Sequence, residues 1–156
     1  RAALHMWEEP CNSGTAGSGT VFFGGCNLKC VFCQNHSIAI GDCGKKITIA
    51  RLAEIFLELQ EKGAANINLV TPTHYIPQIR EALLLAKENG LTLPIVYNTG
   101  SYENADILHL LDGLIDIYLP DLKYFSADFI FPVLCVTKTI SFSIFCSFLI
   151  LIHHSI

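Results

Sequence analysis

The clearest periodicity in the chain runs from Thr48 to Lys62, where Ile49, Leu52, Ile55, Phe56 and Leu59 recur at helical spacing and fall on one face. Thr48 is placed to cap the start of this helix and Gly63 to stop it. A second helix is predicted over Pro77–Asn89, with proline in its first turn and Gly90 just past its end. Between the helices lie short apolar runs that read as buried strands: Val21–Phe23, Asn66–Val70, Leu93–Tyr97 and Leu114–Leu119. A shorter helix, Glu103–Leu111, separates the last two. The order β-α-β-α-β-α-β implies an α/β fold with parallel strands, right-handed crossovers and helices packed on the sheet.

In such sheets, reactive residues gather where strands end and loops begin. The polar residues here follow that rule. Cys26, Cys30 and Cys33 follow the first strand; Thr71, Thr73 and His74 follow the second. Asn98 follows the third, and Asp121 and Lys123 follow the fourth. Four successive strand ends therefore converge on one rim, which is an active-site layout.

Composition divides the chain in two. Residues 1–125 carry 22 of the Asp, Glu, Lys and Arg residues, whereas residues 126–156 carry two, Asp128 and Lys138. The tail also holds five of the ten phenylalanines. Its most apolar run, Thr139–Ile152, is 14 residues long, which is short for a membrane span. Ser and Thr interrupt it and basic flanks are missing, so an aberrant end (mis-spliced, frameshifted or truncated) is expected over a membrane anchor. We therefore expect one domain over 1–125 and an apolar tail over 126–156. A net charge of −4 excludes a basic stripe for nucleic acid. The start, Arg1 to Cys11, is polar and does not read as a secretory signal. Seven cysteines, three of them closely clustered, suit a reducing cytoplasmic compartment better than a disulfide framework.

Cys26, Cys30 and Cys33 form a C-x3-C-x2-C triad. Three thiolates on one short loop can hold three irons of a [4Fe–4S] cluster and leave the fourth open to a reacting ligand, whereas electron-transfer clusters take four cysteines. Zinc is the alternative, completed by Cys43, Cys11 or His36, although structural zinc sites usually pair cysteines in two separated halves. Gly17-Ser18-Gly19-Thr20 reads as a turn into the first strand, because no phosphate-loop lysine follows. His74 is either a backbone-bonded histidine or a cofactor contact. Asn98 could cap a turn, and Asp121 with Lys123 could form a loop ion pair. His109 is expected to be structural, and His153 and His154 have no assigned role.

With that triad after the first strand of a parallel β/α array, the chain resembles the radical S-adenosylmethionine (SAM) superfamily. His5-x-Trp7-Glu8-Glu9-Pro10, Gly19-Thr20-Val21-Phe22-Phe23, Cys26–Asn35 and Thr71-Pro72-Thr73-His74-Tyr75 resemble its pyruvate formate-lyase activating enzyme-like branch. So do Tyr97-Asn98-Thr99 and Tyr118-Leu119-Pro120-Asp121-Leu122-Lys123. The resemblance covers about residues 4–125 and implies a partial (β/α) barrel of about four β/α units. It also implies a [4Fe–4S] cluster on the three cysteines, with S-adenosylmethionine on the open iron. Phe32 matches the position near the adenine, and Asn98, Asp121 and Lys123 match positions that hold the methionine end. The usual Gly-Gly-Glu after strand two is replaced by Val70-Thr71-Pro72-Thr73, so Thr71 and Thr73 offer hydroxyls there but no carboxylate.

The implied activity is one-electron cleavage of the cofactor to a 5′-deoxyadenosyl radical. The implied partners are a flavodoxin- or ferredoxin-type electron donor and a glycyl radical enzyme. The family core has about six β/α units and this chain reaches four, so we expect a fragment that carries the cluster motif. A catalytically inactive metal-binding fragment, or pseudoenzyme, is the alternative, and a membrane-tethered chain is the third reading.

Overall fold

The computed structural model describes residues 1–6, 13–41 and 43–121. Five strands lie side by side in the order of the sequence: β1 (Ala2–His5), β2 (Ser18–Phe22), β3 (Ile67–Val70), β4 (Ile95–Thr99) and β5 (Ile117–Pro120). β2 to β5 pair in parallel, as apolar strands alternating with helices predict. β1 is an addition. It runs antiparallel to β2, with Ala2 opposite Val21 and His5 opposite Ser18. The described strands form an open sheet with β1 and β5 at its edges.

Among the described residues, four helices accompany the sheet: α1 (His36–Ala39), α2 (Ile49–Glu61), α3 (Ile76–Glu88) and α4 (Ala105–Leu108). The Thr48 side chain accepts a hydrogen bond from the Arg51 amide at 3.1 Å, which caps α2 as predicted. Gly63, at φ +79°, ends it in a conformation that side chains resist. Pro77 occupies the first turn of α3. Leu52, Phe56 and Leu59 of α2 and Ile79 and Leu83 of α3 are buried with Ile67, Leu69, Ile95 and Tyr97 of the sheet in one core. The helix and sheet approach closely at Gly19, where a Cβ would lie 2.9 Å from the Asn66 carbonyl oxygen and 3.1 Å from Leu59 Cβ. The opposite face of the sheet carries the paired row Thr20, Asn68 and Val96, also buried.

Two strands sit further along the chain than their apolar runs suggest. β4 starts at Ile95 because the Gln60 side chain takes the Thr92 and Leu93 amides, at 2.8 and 3.3 Å, and holds them out of the ladder. β5 starts at Ile117 because the Leu114 amide closes a turn onto Leu111 at 2.9 Å, beside Gly113 at φ +74°. The predicted helix Glu103–Leu111 is α4 followed by a 3₁₀ turn, His109–Leu111. Asn104 caps α4 by accepting from the Asp106 amide, and Glu103 is left outside the helix.

The apolar tail 126–156, Lys123, Trp7–Pro10 and Cys11 lie outside the described residues. Among the described residues no helix is long and apolar enough to cross a membrane.

Candidate active site

The cysteine loop leaves the end of β2 through Gly24 and Gly25. Gly25 has φ +89°, and a Cβ there would meet His74 Nε2 at 3.1 Å, so the loop passes where only glycine fits. Two side chains from the next strand's end secure it. His74 Nε2–H and the Tyr75 hydroxyl both donate to the Gly24 carbonyl, at 3.0 and 3.1 Å, and so occupy both of its lone pairs. Of the two roles open to His74 from sequence, the structure shows the backbone-bonded one.

Beyond Gly25, the loop folds back as the Gly25 amide donates to the Ile38 carbonyl at 2.8 Å and the Cys33 amide to Cys30 at 3.1 Å. The Leu28 amide points at Cys26 Sγ from 3.5 Å. Lys29, at φ +48°, makes the turn between the first two cysteines. Leu28 is buried against the loop after β4, where a Cβ on Gly100 would come within 2.5 Å of Leu28 Cδ1. The Asn27 amide group donates to the Tyr102 carbonyl at 2.9 Å. Tyr102 packs on Leu28 and Cys30, and its hydroxyl is pushed above the ordinary phenol range by burial and then by the charge of Cys30.

Cys26, Cys30 and Cys33 line one cleft of about 400 Å³. Phe32 lines the same cleft and is otherwise exposed. Thr71, Asn98, Thr99 and Asp121 form the facing wall. The strand ends that carry them are tied together: the Thr71 amide donates to Asn98 at 3.0 Å and the Asp121 amide to Thr99 at 2.8 Å. Thr71 holds φ +54°, a rare conformation for a β-branched residue, which marks this corner as strained.

Among the described residues, no group of three or more His, Cys, Asp or Glu side chains closes around a point as the ligands of one ion would. A cubane cluster makes a different demand, since each thiolate binds a different iron and the sulfurs stand apart. The donor set fits that demand: three cysteines on one loop, all lining the cleft, with polar strand ends in the same lining. Cys43, one of the residues weighed as a zinc ligand, is exposed and is not among the cleft's lining.

Thr73 is not part of the lining. Its hydroxyl turns to Glu103, donating to Oε1 at 2.7 Å, and the Thr99 hydroxyl donates to the same oxygen. Glu103 went unrecognised in the sequence because it reads there as the first residue of a helix. The available signal was a carboxylate five residues beyond Asn98 in a loop at the same rim. Tyr97, buried beside this group, is held far above its ordinary range by burial and then by the charge of Glu103. His109 lies away from the rim, exposed and bonded to Asp112 at 3.1 Å.

A model of the radical SAM superfamily matches residues 20–150. An uncharacterized protein of Methanocaldococcus jannaschii is 34% identical over 130 residues, a match that covers 78% of this chain and 36% of that protein. The chain thus spans about a third of this relative's length. No solved structure matches it.

Proposed function

The chain belongs to the radical SAM superfamily, and from that premise we propose that Cys26, Cys30 and Cys33 hold three irons of a [4Fe–4S] cluster whose fourth iron takes S-adenosylmethionine. The superfamily binds both cofactors, and together they supply reductive cleavage of the sulfonium to a 5′-deoxyadenosyl radical. The observation that carries the residue assignment is the shared cleft. The three cysteines of the β2 loop line the same cavity as Thr71, Asn98 and Asp121 from three other strand ends.

The chain's own residues then have distinct tasks. Thr71, Asn98 and Asp121 offer oxygen and amide partners to the polar methionine end of the cofactor; the same role for Lys123 rests on the resemblance of its motif alone. Phe32 offers a flat apolar surface to the adenine. Gly24, gripped by His74 and Tyr75, holds the cysteine loop at a constant angle to the sheet.

The finer reading, activation of a glycyl radical enzyme with electrons from a flavodoxin- or ferredoxin-type donor, rests on the resemblance of the strand-end motifs. Anaerobic reconstitution with iron and sulfide, followed by SAM and a chemical reductant, tests the core of the proposal. About four irons and four sulfides per chain and formation of 5′-deoxyadenosine are expected, with cluster loss in Cys26→Ala, Cys30→Ala and Cys33→Ala. A cluster without cofactor cleavage would leave the chain as a metal-binding fragment. Zinc without sulfide would remove the cluster altogether.

A further inference from the structure

Charge is divided unevenly along the chain. Between Phe23 and Glu54, the stretch that carries the cysteine loop, four basic residues (Lys29, Lys45, Lys46 and Arg51) face one acidic residue, Asp42. The rest of the chain holds six basic and thirteen acidic residues. From Glu88 to Leu122, the stretch that supplies the β4 and β5 ends of the rim, there is no lysine or arginine. One side of the rim is therefore positive and the other negative.

Folding keeps the cations beside the cysteines. The Gly25 amide donates to the Ile38 carbonyl at 2.8 Å, and a Cβ on Gly24 would lie 3.1 Å from the Cys43 carbonyl oxygen. The chain thus returns against the root of the cysteine loop just before Lys45 and Lys46. Lys45 follows that contact by two residues, a reach of about 7 Å at most. Lys45, Lys46 and Ile47 line one surface groove with Thr48 and Arg51. Arg51 is already paired with Glu54 and Glu58, at 3.0 and 2.5 Å. Lys29, Lys45 and Lys46 are exposed and form no ion pair among the described residues. Two apolar side chains are exposed in the same stretch: Val31, between the second and third cysteines, at 68%, and Ile47 at 47%.

Unpaired lysines with exposed apolar neighbours suit a protein partner whose contact face is acidic around an apolar centre. The neighbouring cleft says what that partner brings. Each cleavage of the sulfonium consumes one electron, and it has to come from outside the chain. We propose that Lys29, Lys45 and Lys46, with Val31 and Ile47, form the docking surface of an acidic one-electron carrier protein. This rests on the cluster assignment above and adds to it the face by which electrons arrive. In the transfer the carrier loses one electron and the cluster gains it, with no bond made or broken. Redox encounters bury little surface, less than about 1,200 Å² in all, so a patch of this size is sufficient. The negative β4 side of the rim repels the same partner and so orients it.

The test follows electron entry apart from turnover. Cluster reduction in the anaerobically reconstituted protein is followed by visible absorbance. Reduced flavodoxin and reduced ferredoxin serve in turn as acidic carriers, and photoreduced deazaflavin as a small neutral reductant. Lys45→Glu/Lys46→Glu is expected to slow reduction by a carrier about tenfold at low ionic strength, as loss of electrostatic steering implies. Iron content and reduction by deazaflavin are expected to be unchanged. Lys62→Glu/Lys87→Glu makes the same change in net charge outside the patch and is expected to slow the carrier far less. Carbodiimide coupling to the oxidised carrier, with or without the cluster in place, is expected to join its carboxylates to Lys29, Lys45 or Lys46. Equal slowing by the two double variants, or slowing by neither, overturns the proposal. Crosslinks at these lysines without any effect on cluster reduction overturn it too, and assign the patch to a different acidic partner. A wild-type cluster that deazaflavin reduces and neither carrier does also overturns it, while leaving the cluster assignment in place. Failure to form a cluster removes the functional reading together with this one.

Discussion

Thr71 combines a strained backbone with a place in the cleft wall, and the two have opposite consequences for stability and for binding. A β-branched residue at φ +54° costs roughly 1–3 kcal/mol relative to a relaxed conformation. Glycine relieves the strain at the expense of extra chain entropy when unfolded. Thr71→Gly is therefore expected to stabilise the protein by about 1 kcal/mol in a urea titration while weakening SAM binding through loss of the hydroxyl. A fall in stability would show that the threonine side chain is held by contacts worth more than the strain. At this scale the sequence was legible where chemistry is announced by spacing. The cysteine triad, Thr71, Asn98 and Asp121 all line the cleft. Thr73 reaches the site indirectly, through Glu103, and Glu103 itself was hidden. A residue whose role depends on which loop it meets across the rim carries no local signature, and Glu103 meets a threonine thirty positions away.

Elements were legible to the extent that local forces set them. The apolar stripe of α2, its threonine cap and its glycine stop are all decided within the segment, and the helix lies where they place it. β1 has four residues and no such pattern; pairing with β2 gives it a strand conformation. The late starts of β4 and β5 have the same cause, since Gln60 and Leu111 capture amides that an apolar run alone would assign to the ladder. The contact between α2 and β2 offers a test of how tightly these elements are set. A methyl group at Gly19 would press on the Asn66 carbonyl and on Leu59 Cβ, neither of which is a flexible chain end. Gly19→Ala is expected to cost about 1–3 kcal/mol by overpacking, measured by chemical denaturation. A neutral result would mean that α2 slides on the sheet.

At the scale of the whole molecule, the cleft depends on contacts far apart in the chain. Asn27 bonds to the Tyr102 carbonyl, 75 residues away, and Leu28 fills the space above Gly100. A Cβ on Gly100 would meet the far end of the Leu28 side chain at 2.5 Å, so the collision can be answered from either side. Gly100→Ala is expected to lower cluster retention after gel filtration, and Leu28→Ala to lower it through lost packing. The double variant should retain more than the sum of the two losses predicts, since the alanine methyl partly fills the space that Leu28 vacates. Strict additivity would mean that the two loops do not press on one another. The α/β class, the parallel core and the converging rim could all be inferred from the strand–helix alternation. The antiparallel edge strand and the packing of one rim loop on another could not, because both arise only after distant segments meet.

The seat of Leu28 against Gly100 also imposes an order of events on the making of the protein. The ribosome releases the three cysteines long before the loop after β4 exists, so the nascent loop has its thiols without the surface that packs it. A cluster delivered at that stage would rest on a free loop, exposed to solvent and oxidant. Metal loading that waits until β4 has joined the sheet meets a loop already seated. If the proposed cluster assignment holds, folding of the sheet is the step that would make the thiols ready for iron.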